Sequence, residues 1–407
     1  MPRTNIITGL DIGSNEIKVL VGAQRGGEGG KEGHQAIEVM SQMKLPSFGV
    51  RRGVVVDVEK VSQIIQSILI KVKEEVGQEI HSVYVNINGS HLSSTSSRGM
   101  VAVSRADQKI SDADVDRVLL SAQTISLSSN KEILETIPKE YIVDGEKGIK
   151  EPIGMEGGRL EAEVLILTGF SPYKKNLNQA ILGANLQVLD IVPSPIASAS
   201  AVLSPKQKEL GVAILDIGAG TSGLSIFEEG NLIHLAIFPI GSSNITNDIA
   251  IGLQTDINSA EMIKIEKGHC LSKSGNKKEK IETENGSLVF SQKALTRIIE
   301  DRVSDIFEQV EKELKKISKQ SLLPSGLVLT GGGANIKGIV ELAKKKLKLP
   351  CQIGRPVNFL GLEDGLSYSV ASGLVLEGID NLDGADQASF GQGVTTKLRR
   401  IFRVFIP

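Results

Sequence analysis

The chain has no tryptophan, and aromatic residues make up 3% of its 407 positions. Stacking platforms for bases or sugar rings are therefore scarce. There is no basic excess either: 46 Lys and Arg stand against 48 Asp and Glu, a net charge of −2. Nucleic-acid binders usually carry such an excess, so no nucleic acid is expected as a partner. Only two cysteines occur, Cys270 and Cys351, far apart and in unrelated contexts. That excludes a disulfide framework and points to a reducing compartment. The five histidines (His34, His81, His91, His234 and His269) fall at no zinc-ligand spacing. No run reaches the ~18 uninterrupted apolar residues of a spanning helix. Met1 to Asn5 leads straight into a strand-like run, without a signal peptide. A cytoplasmic protein is expected, with any membrane contact peripheral.

What the chain does have is a duplication. Ile6 to Val21 reads as strand, Asp-Ile-Gly-Ser turn (Asp11 to Ser14), strand. Val212 to Phe227 repeats the pattern around Asp-Ile-Gly-Ala-Gly-Thr (Asp216 to Thr221), about half the chain further on. Two halves that each open with an Asp-x-Gly hairpin imply a duplicated domain facing itself across a cleft. Val58, Val61, Ile64, Ile65, Ile68, Leu69 and Val72 recur at helical spacing, and Leu295 to Ile317 predicts a long amphipathic helix. His81 to Asn88 reads as a short strand, Leu165 to Thr168 as a buried one, and Ser111 to Asp114 as a capping box. The Gly-rich stretch Arg25 to His34 lacks the Ser or Thr after Gly-Lys that a P-loop requires, so it is read as a hairpin tip.

The two turns carry chemistry. Each places backbone N–H groups and a hydroxyl at a hairpin tip, with a carboxylate beside them. Two such tips facing each other can clamp a polyphosphate from both sides, with Asp11 and Asp216 holding a hydrated Mg²⁺ and Lys18 offsetting phosphate charge; two unrelated tight hairpins are the plainer alternative, since a single Asp-x-Gly turn is commonplace. A third element, Leu327-Val-Leu-Thr-Gly-Gly-Gly-Ala334, is a buried strand ending in bare glycines, followed by a helix from about Ile336. Glycines there let a flat ring or ribose approach the backbone. A dinucleotide site is the rival, but no acidic residue ends the next strand, near Cys351 to Gly354. Glu261 and Lys264, at i and i+3, share a helix face suited to ribose hydroxyls; such a pair is also a common solvated salt bridge.

The order of these motifs resembles the nucleotide signature of the actin, Hsp70 and sugar-kinase superfamily. Within it, the chain is similar over nearly its whole length to the FtsA family of bacterial cell-division proteins. The resemblance is carried by Asp144-Gly145, Gly154 to Leu160, Pro195-Ile-Ala-Ser198, Asn244 to Ala250 and Gly365 to Gly373. It implies an α/β, actin-like (RNase H-like) duplicated two-domain ATPase fold with an inserted α/β subdomain and a C-terminal amphipathic helix. On that scheme residues 1–82, 166–210 and 361–380 form subdomain 1A, and 83–165 the inserted subdomain 1C. Residues 211–240 and 298–360 form subdomain 2A, 241–297 subdomain 2B, and 381–394 a flexible linker before a membrane-targeting helix at 395–407. ATP with Mg is the implied ligand. Its site comprises Asp11, Gly13, Ser14, Asn15 and Lys18 on the first hairpin and Asp216, Gly218, Gly220, Thr221 and Ser222 on the second. Glu261 and Lys264 join from the helix, and Gly331, Gly332 and Gly333 from the third element. The implied partners are FtsZ through its C-terminal tail, further copies of the chain in filaments, later division proteins and an anionic lipid membrane. The implied place is the cytoplasmic face of the cell membrane at the division septum.

One departure bears on hydrolysis. In polymerising relatives such as MreB, a Glu just before a Pro-x-Ala-x-Ala helix orients the attacking water. Ser194, before Pro195, takes that position here and is a poor water-positioning group. It reads equally as an N-cap with Pro195 at the first helical position. ATP hydrolysis is therefore expected to be slow at most, and no catalytic residue is assigned.

The chain ends in Thr396-Lys-Leu-Arg-Arg-Ile-Phe-Arg-Val-Phe-Ile-Pro407. On a helix Leu398, Ile401, Phe402, Phe405 and Ile406 share one face, with Arg399, Arg400 and Arg403 opposite and Lys397 near the boundary. A bulky apolar stripe under Lys and Arg is the pattern of an interfacial helix. The other basic run, Lys344 to Lys348, suits the negative end of its own helix. Rival readings are a sugar kinase or chaperone ATPase of the same superfamily and a pilus-assembly scaffold of similar fold. The first needs a further catalytic Asp or a peptide-binding domain, and the pilus scaffold would lack the terminal helix.

Overall fold

The computed structural model describes residues 6–24, 36–104, 106–271, 278–283, 286–319 and 322–387. The first hairpin, β1 (Ile6–Ile12) and β2 (Glu16–Gln24), is continued by antiparallel β3 (Ile37–Pro46). The Arg25 to His34 stretch lies outside the described residues, between strands paired at Gln24 and Ile37. A two-residue turn joins β4 (Val50–Arg51) to β5 (Val54–Val55). Its centre, Arg52 (φ 48°) and Gly53 (φ 80°), is left-handed at both residues, the geometry of the tightest hairpins. α1 (Val58–Val76) starts where the Asp57 side chain accepts the Lys60 N–H and stops at left-handed Gly77. It buries Val61, Ile65, Ile68 and Val72, the expected apolar face. β6 (Ser82–Ile87) then runs parallel to β1.

A separate four-stranded sheet follows: β7 (Ser93–Ala102), β8 (Lys131–Val143), β9 (Glu146–Ile149) and β10 (Arg159–Phe170), in the order β7-β10-β8-β9. α2 (Asp112–Ala122) covers one face with Val115, Val118, Leu119 and Ala122. At its start the Asp114 carboxylate accepts from both the backbone N–H and the hydroxyl of Ser111. The insert therefore begins one strand later than the expected residue 83. β6 sits between β1 and β11 in the main sheet, where Val83, Val85 and Ile87 are core.

The chain returns through α3 (Ser171–Gly183), β11 (Gln187–Pro193), α4 (Ser194–Val202) and α5 (Pro205–Leu210). The second half opens with β12 (Val212–Ile217), β13 (Ser222–Glu228) and β14 (Asn231–Phe238). Next come α6 (Ser242–Leu253), α7 (Ile257–Lys267), the hairpin β15 (Lys278–Thr283) and β16 (Gly286–Ser291), and α8 (Gln292–Lys316). α8 buries Leu295, Ile299, Val303, Ile306, Phe307, Val310 and Leu314, as its periodicity predicts. β17 (Leu327–Thr330) ends in one tight turn at Gly332–Asn335, and α9 (Ile339–Leu347) starts three residues after the expected Ile336 because left-handed Gly338 intervenes. β18 (Cys351–Ile353), β19 (Phe359–Leu360) and α10 (Ser369–Gln387) complete the order.

The duplication is visible in the sheets. Read outward, β3-β2-β1-β6-β11 of the first half matches β14-β13-β12-β17-β18 of the second, each an antiparallel hairpin followed by parallel strands. β19 adds an edge to the first sheet. α10 ties the first half together. It packs on β1 and α4 so closely that a Cβ at Gly373 would lie 1.7 Å from the Ala197 carbonyl oxygen. It also runs to Gln387, into the stretch expected from residue 381 to be linker. The rest of that stretch and the whole 395–407 segment lie outside the described residues. No described helix is long and apolar enough to cross a membrane.

Candidate functional site

The two Asp-x-Gly turns have the same internal geometry. The Gly13 N–H donates to the Glu16 carbonyl at 3.1 Å, and the Gly218 N–H donates to the Thr221 carbonyl at 2.9 Å. Both turns point into one cleft. Its lining brings together Asp11, Gly13, Ser14, Asn15 and Lys18 from the first half with Asp216, Gly218, Gly220 and Thr221 from the second, and Gly331 and Gly332 from the end of β17. The tips touch: a Cβ at Gly220 would lie 2.7 Å from Ser14 Oγ. Ser14 Oγ in turn accepts the Gly53 N–H of the β4–β5 turn at 2.9 Å. The cavity enclosed is about 80 Å³.

The chemistry of the floor is that of two buried carboxylates. Asp11, opposite Lys18 in the hairpin register, is 6% exposed. Burial pushes its carboxyl up from the ordinary range, and the Lys18 ammonium, 3.7 Å away, pulls it back. Burial pushes Asp216 up to about 7, with the charge of Asp11 adding to the effect and Lys18 and a Ser198 hydrogen bond opposing it. A cation between these groups relieves both, which fits a hydrated divalent ion. Among the described residues no group of three or more His, Cys, Asp or Glu is placed to hold a metal. Thr330, the register partner of Asp216, also keeps a buried hydroxyl oxygen with no hydrogen-bond partner.

Several lining residues were not assigned to the site from the sequence, although Ser367, Ser369 and Val370 lie in the Gly365 to Gly373 motif. Asn88 Nδ2 donates to Thr221 Oγ1 at 3.2 Å, joining the halves. Ser367, Ser369 and Val370 reach the cleft from the start of α10. Ser194 is buried at the start of α4, but its hydroxyl caps nothing. It accepts from Asn86 Nδ2 at 3.0 Å and donates to the Ile87 carbonyl at 3.5 Å, so the expected N-cap role is replaced by a tie to β6.

Four expected site residues stand off the lining. Ser222 donates to the Ile240 carbonyl at 2.8 Å, and a Cβ at Gly333 would meet Ile217 rather than the cleft. Glu261 and Lys264 face each other on α7 at 2.7 Å, and Lys264 Nζ also donates to Thr246 Oγ1 at 2.8 Å. Lys397 to Ile406 lie outside the described residues.

The family model for cell division protein FtsA matches residues 213–373, and that for the SHS2 domain inserted in FtsA matches residues 89–168. Cell division protein FtsA of Pseudomonas aeruginosa is 36% identical over 381 residues, covering 92% of this chain and 89% of the relative. That of Bacillus subtilis is 33% identical over 379 residues, covering 92% and 84%. Among solved structures, a chain of a PilM–PilN type IV pilus biogenesis complex superposes with a TM-score of 0.65 at 16% identity, covering 92% of this chain and 98% of that one. MreB5 of Spiroplasma citri bound to ADP gives 0.56 at 13% identity, covering 96% and 100%. At such identities these two establish an actin-like fold and nothing finer.

Proposed function

This chain belongs to the cell division protein FtsA family, and from that footing we propose that it is an ATP-dependent, actin-like scaffold of bacterial division. The observation that carries the nucleotide reading is the pair of matched turns facing each other over Asp11 and Asp216. Backbone N–H groups at the tips, with Ser14 and Thr221, would hold phosphate oxygens. Asp11 and Asp216 would hold Mg²⁺ through its water, and the ion would neutralise phosphate charge. Lys18 adds the one fixed ammonium of the lining. Gly331 and Gly332 leave the backbone bare where the nucleoside approaches, with Gly333 and Ser222 holding those loops in shape. Glu261 and Lys264 are assigned to the ribose. Their mutual ion pair would exchange for its hydroxyls.

A ligand of this size needs a cavity of roughly 300–1,000 Å³, so the halves part to admit it. Turnover is slow, because Ser194 spends its hydroxyl on Asn86 and Ile87. The further assignments follow the family. The chain polymerises, and residues 241–297 receive the C-terminal tail of FtsZ. The inserted subdomain meets neighbouring protomers and later division proteins, and residues 395–407 attach to anionic lipid on the cytoplasmic side of the membrane at the septum. Calorimetric titration of Mg²⁺·ATP into the full chain tests the core of this reading. Binding is expected for the wild type and lost in folded Asp216→Ala; equal affinity in both would overturn it.

A further inference from the structure

We propose that Asn86 is a positioning residue for the first carboxylate of the cleft, fixing Asp11 so that one defined oxygen is left to a hydrated divalent cation. The assignment deepens the nucleotide reading above and rests on it. Asn86 lies near the end of β6, one step beyond the Leu10–Val85 register pair, and is 2% exposed. Its Oδ1 accepts the Ile12 N–H at 2.7 Å. Its Nδ2 donates to Asp11 Oδ1 at 2.8 Å and to Ser194 Oγ at 3.0 Å. An amide has one acceptor oxygen and two donor hydrogens, and here each is used. The reversed amide would set oxygen against the Asp11 oxygen and hydrogens against the Ile12 N–H, so one orientation alone is compatible with the neighbours.

The consequence falls on Asp11. Its Oδ1 is committed to Asn86, whereas its Oδ2 faces Lys18 Nζ at 3.7 Å, beyond a direct hydrogen bond. The free oxygen is thus chosen by a neutral side chain from a strand 75 residues away. An aspartate at this position would set a third buried negative charge against Asp11 and Asp216. A serine would reach too short a distance to serve three partners. The second half holds its carboxylate differently: Ser198 Oγ nearby donates to the Pro195 carbonyl at 3.3 Å, and Thr330 beside Asp216 offers no hydrogen bond. The two carboxylates are therefore not equivalent, and the first is the more firmly oriented.

The test titrates ATP into the full chain with excess Mg²⁺ and again in EDTA, for wild type, Asn86→Leu and Asn86→Ala, with melting temperatures recorded for each. Leucine keeps the branched heavy-atom skeleton, is somewhat larger and removes every polar contact; alanine serves where leucine prevents folding. The ratio of affinity with Mg²⁺ to affinity in EDTA is expected to fall about tenfold, the scale of one charge-assisted hydrogen bond. In an Asp11→Asn background, Asn86→Leu should lower that ratio no further, because the amide acts through Asp11. A merely structural role would lower both affinities together and leave the ratio alone. An unchanged ratio in a folded Asn86 variant overturns the assignment while the nucleotide reading stands; a wild-type chain that binds no ATP overturns both.

Discussion

Adjacent glycines at the end of β17 should fail in opposite ways when given a side chain. Gly331 sits at φ 82°, ψ 164°, a region essentially confined to glycine. A Cβ there would lie 2.2 Å from Asp216 Oδ1 and 2.7 Å from the Ile217 carbonyl oxygen. The backbone conformation alone costs about 1–3 kcal/mol for another residue, and the clash adds to it because Ile217 contributes rigid backbone. Gly332 has no such constraint. A Cβ there meets nothing nearer than Ser367 Cβ at 3.9 Å, across the cleft that both residues line. Gly332→Val should therefore keep the fold, at less than about 1 kcal/mol of propensity, and place two methyl groups where the nucleoside enters. In domains of the size of each half, 1 kcal/mol moves the melting temperature by about 2–4 °C. Scanning fluorimetry without nucleotide should put Gly332→Val within about 3 °C of wild type and Gly331→Val clearly lower. Calorimetry with Mg²⁺·ATP should show at least about tenfold weaker binding by Gly332→Val. Wild-type affinity in folded Gly332→Val would refute the site, and equal melting losses at both positions would refute the backbone argument.

Burial holds the Asp216 carboxyl at about 7 in the folded chain, whereas in the unfolded chain it titrates at its ordinary 3.8. The stability this group contributes is present below about pH 4 and is lost as pH rises through about 7. Asp216→Asn should thus gain in melting temperature over wild type between pH 5 and pH 8, in the absence of nucleotide. The difference is the quantity to measure, because half-buried His91, held below its usual range by desolvation, contributes in the opposite sense and loses stability as pH falls. Phosphate release by the wild type should stay well below the ~1–100 s⁻¹ of active kinases, and Ser194→Glu should speed it in a variant that still binds ATP. No acceleration there would unseat Ser194 as the water-positioning site. The terminal segment should bind lipid reversibly. Four Lys or Arg give about 1 kcal/mol each near an anionic surface, and five apolar side chains at most about 1.5–3 each. Ordering costs about 1–2 per residue, so neighbouring tails on a polymer must act together. Deleting 395–407 should abolish pelleting with anionic liposomes and spare ATP binding; full-length pelleting by the truncated chain would refute the anchor.

What the sequence made legible was local. The Asp-x-Gly turns, the apolar face of α1 and the seven buried apolar positions of α8 are each written within one element. What it hid depends on register between distant strands. The run His81 to Asn88 was readable as a strand, but a parallel strand does not name its partner, so β6 was assigned to the insert instead of the main sheet. A signal was present nonetheless. A parallel strand buried on both faces reads as continuous Val and Ile, so Asn86 among Val83, Tyr84, Val85 and Ile87 had to be satisfied by something. Glu261 and Lys264 show the converse, where a spacing compatible with a ligand face serves first as a short-range ion pair.

The same distinction bears on how the cleft works. Its carboxylates and glycines are conspicuous in sequence, whereas several of the contacts that span it are inconspicuous small neutral groups. Ser14 meets Gly220, Asn88 donates to Thr221, Ser225 donates to the Pro195 carbonyl at 2.7 Å, and Ser94 of the insert bonds both the N–H and the carbonyl of Leu235. Each such bond is worth about 0.5–1.5 kcal/mol net. Burial of Asp216 pushes the other way, and the charge of Asp11 raises the cost of its ionisation further. A cation with its phosphate ligand removes that opposition. On the nucleotide reading proposed above, a bound Mg²⁺ would relieve the burial of the same two carboxylates.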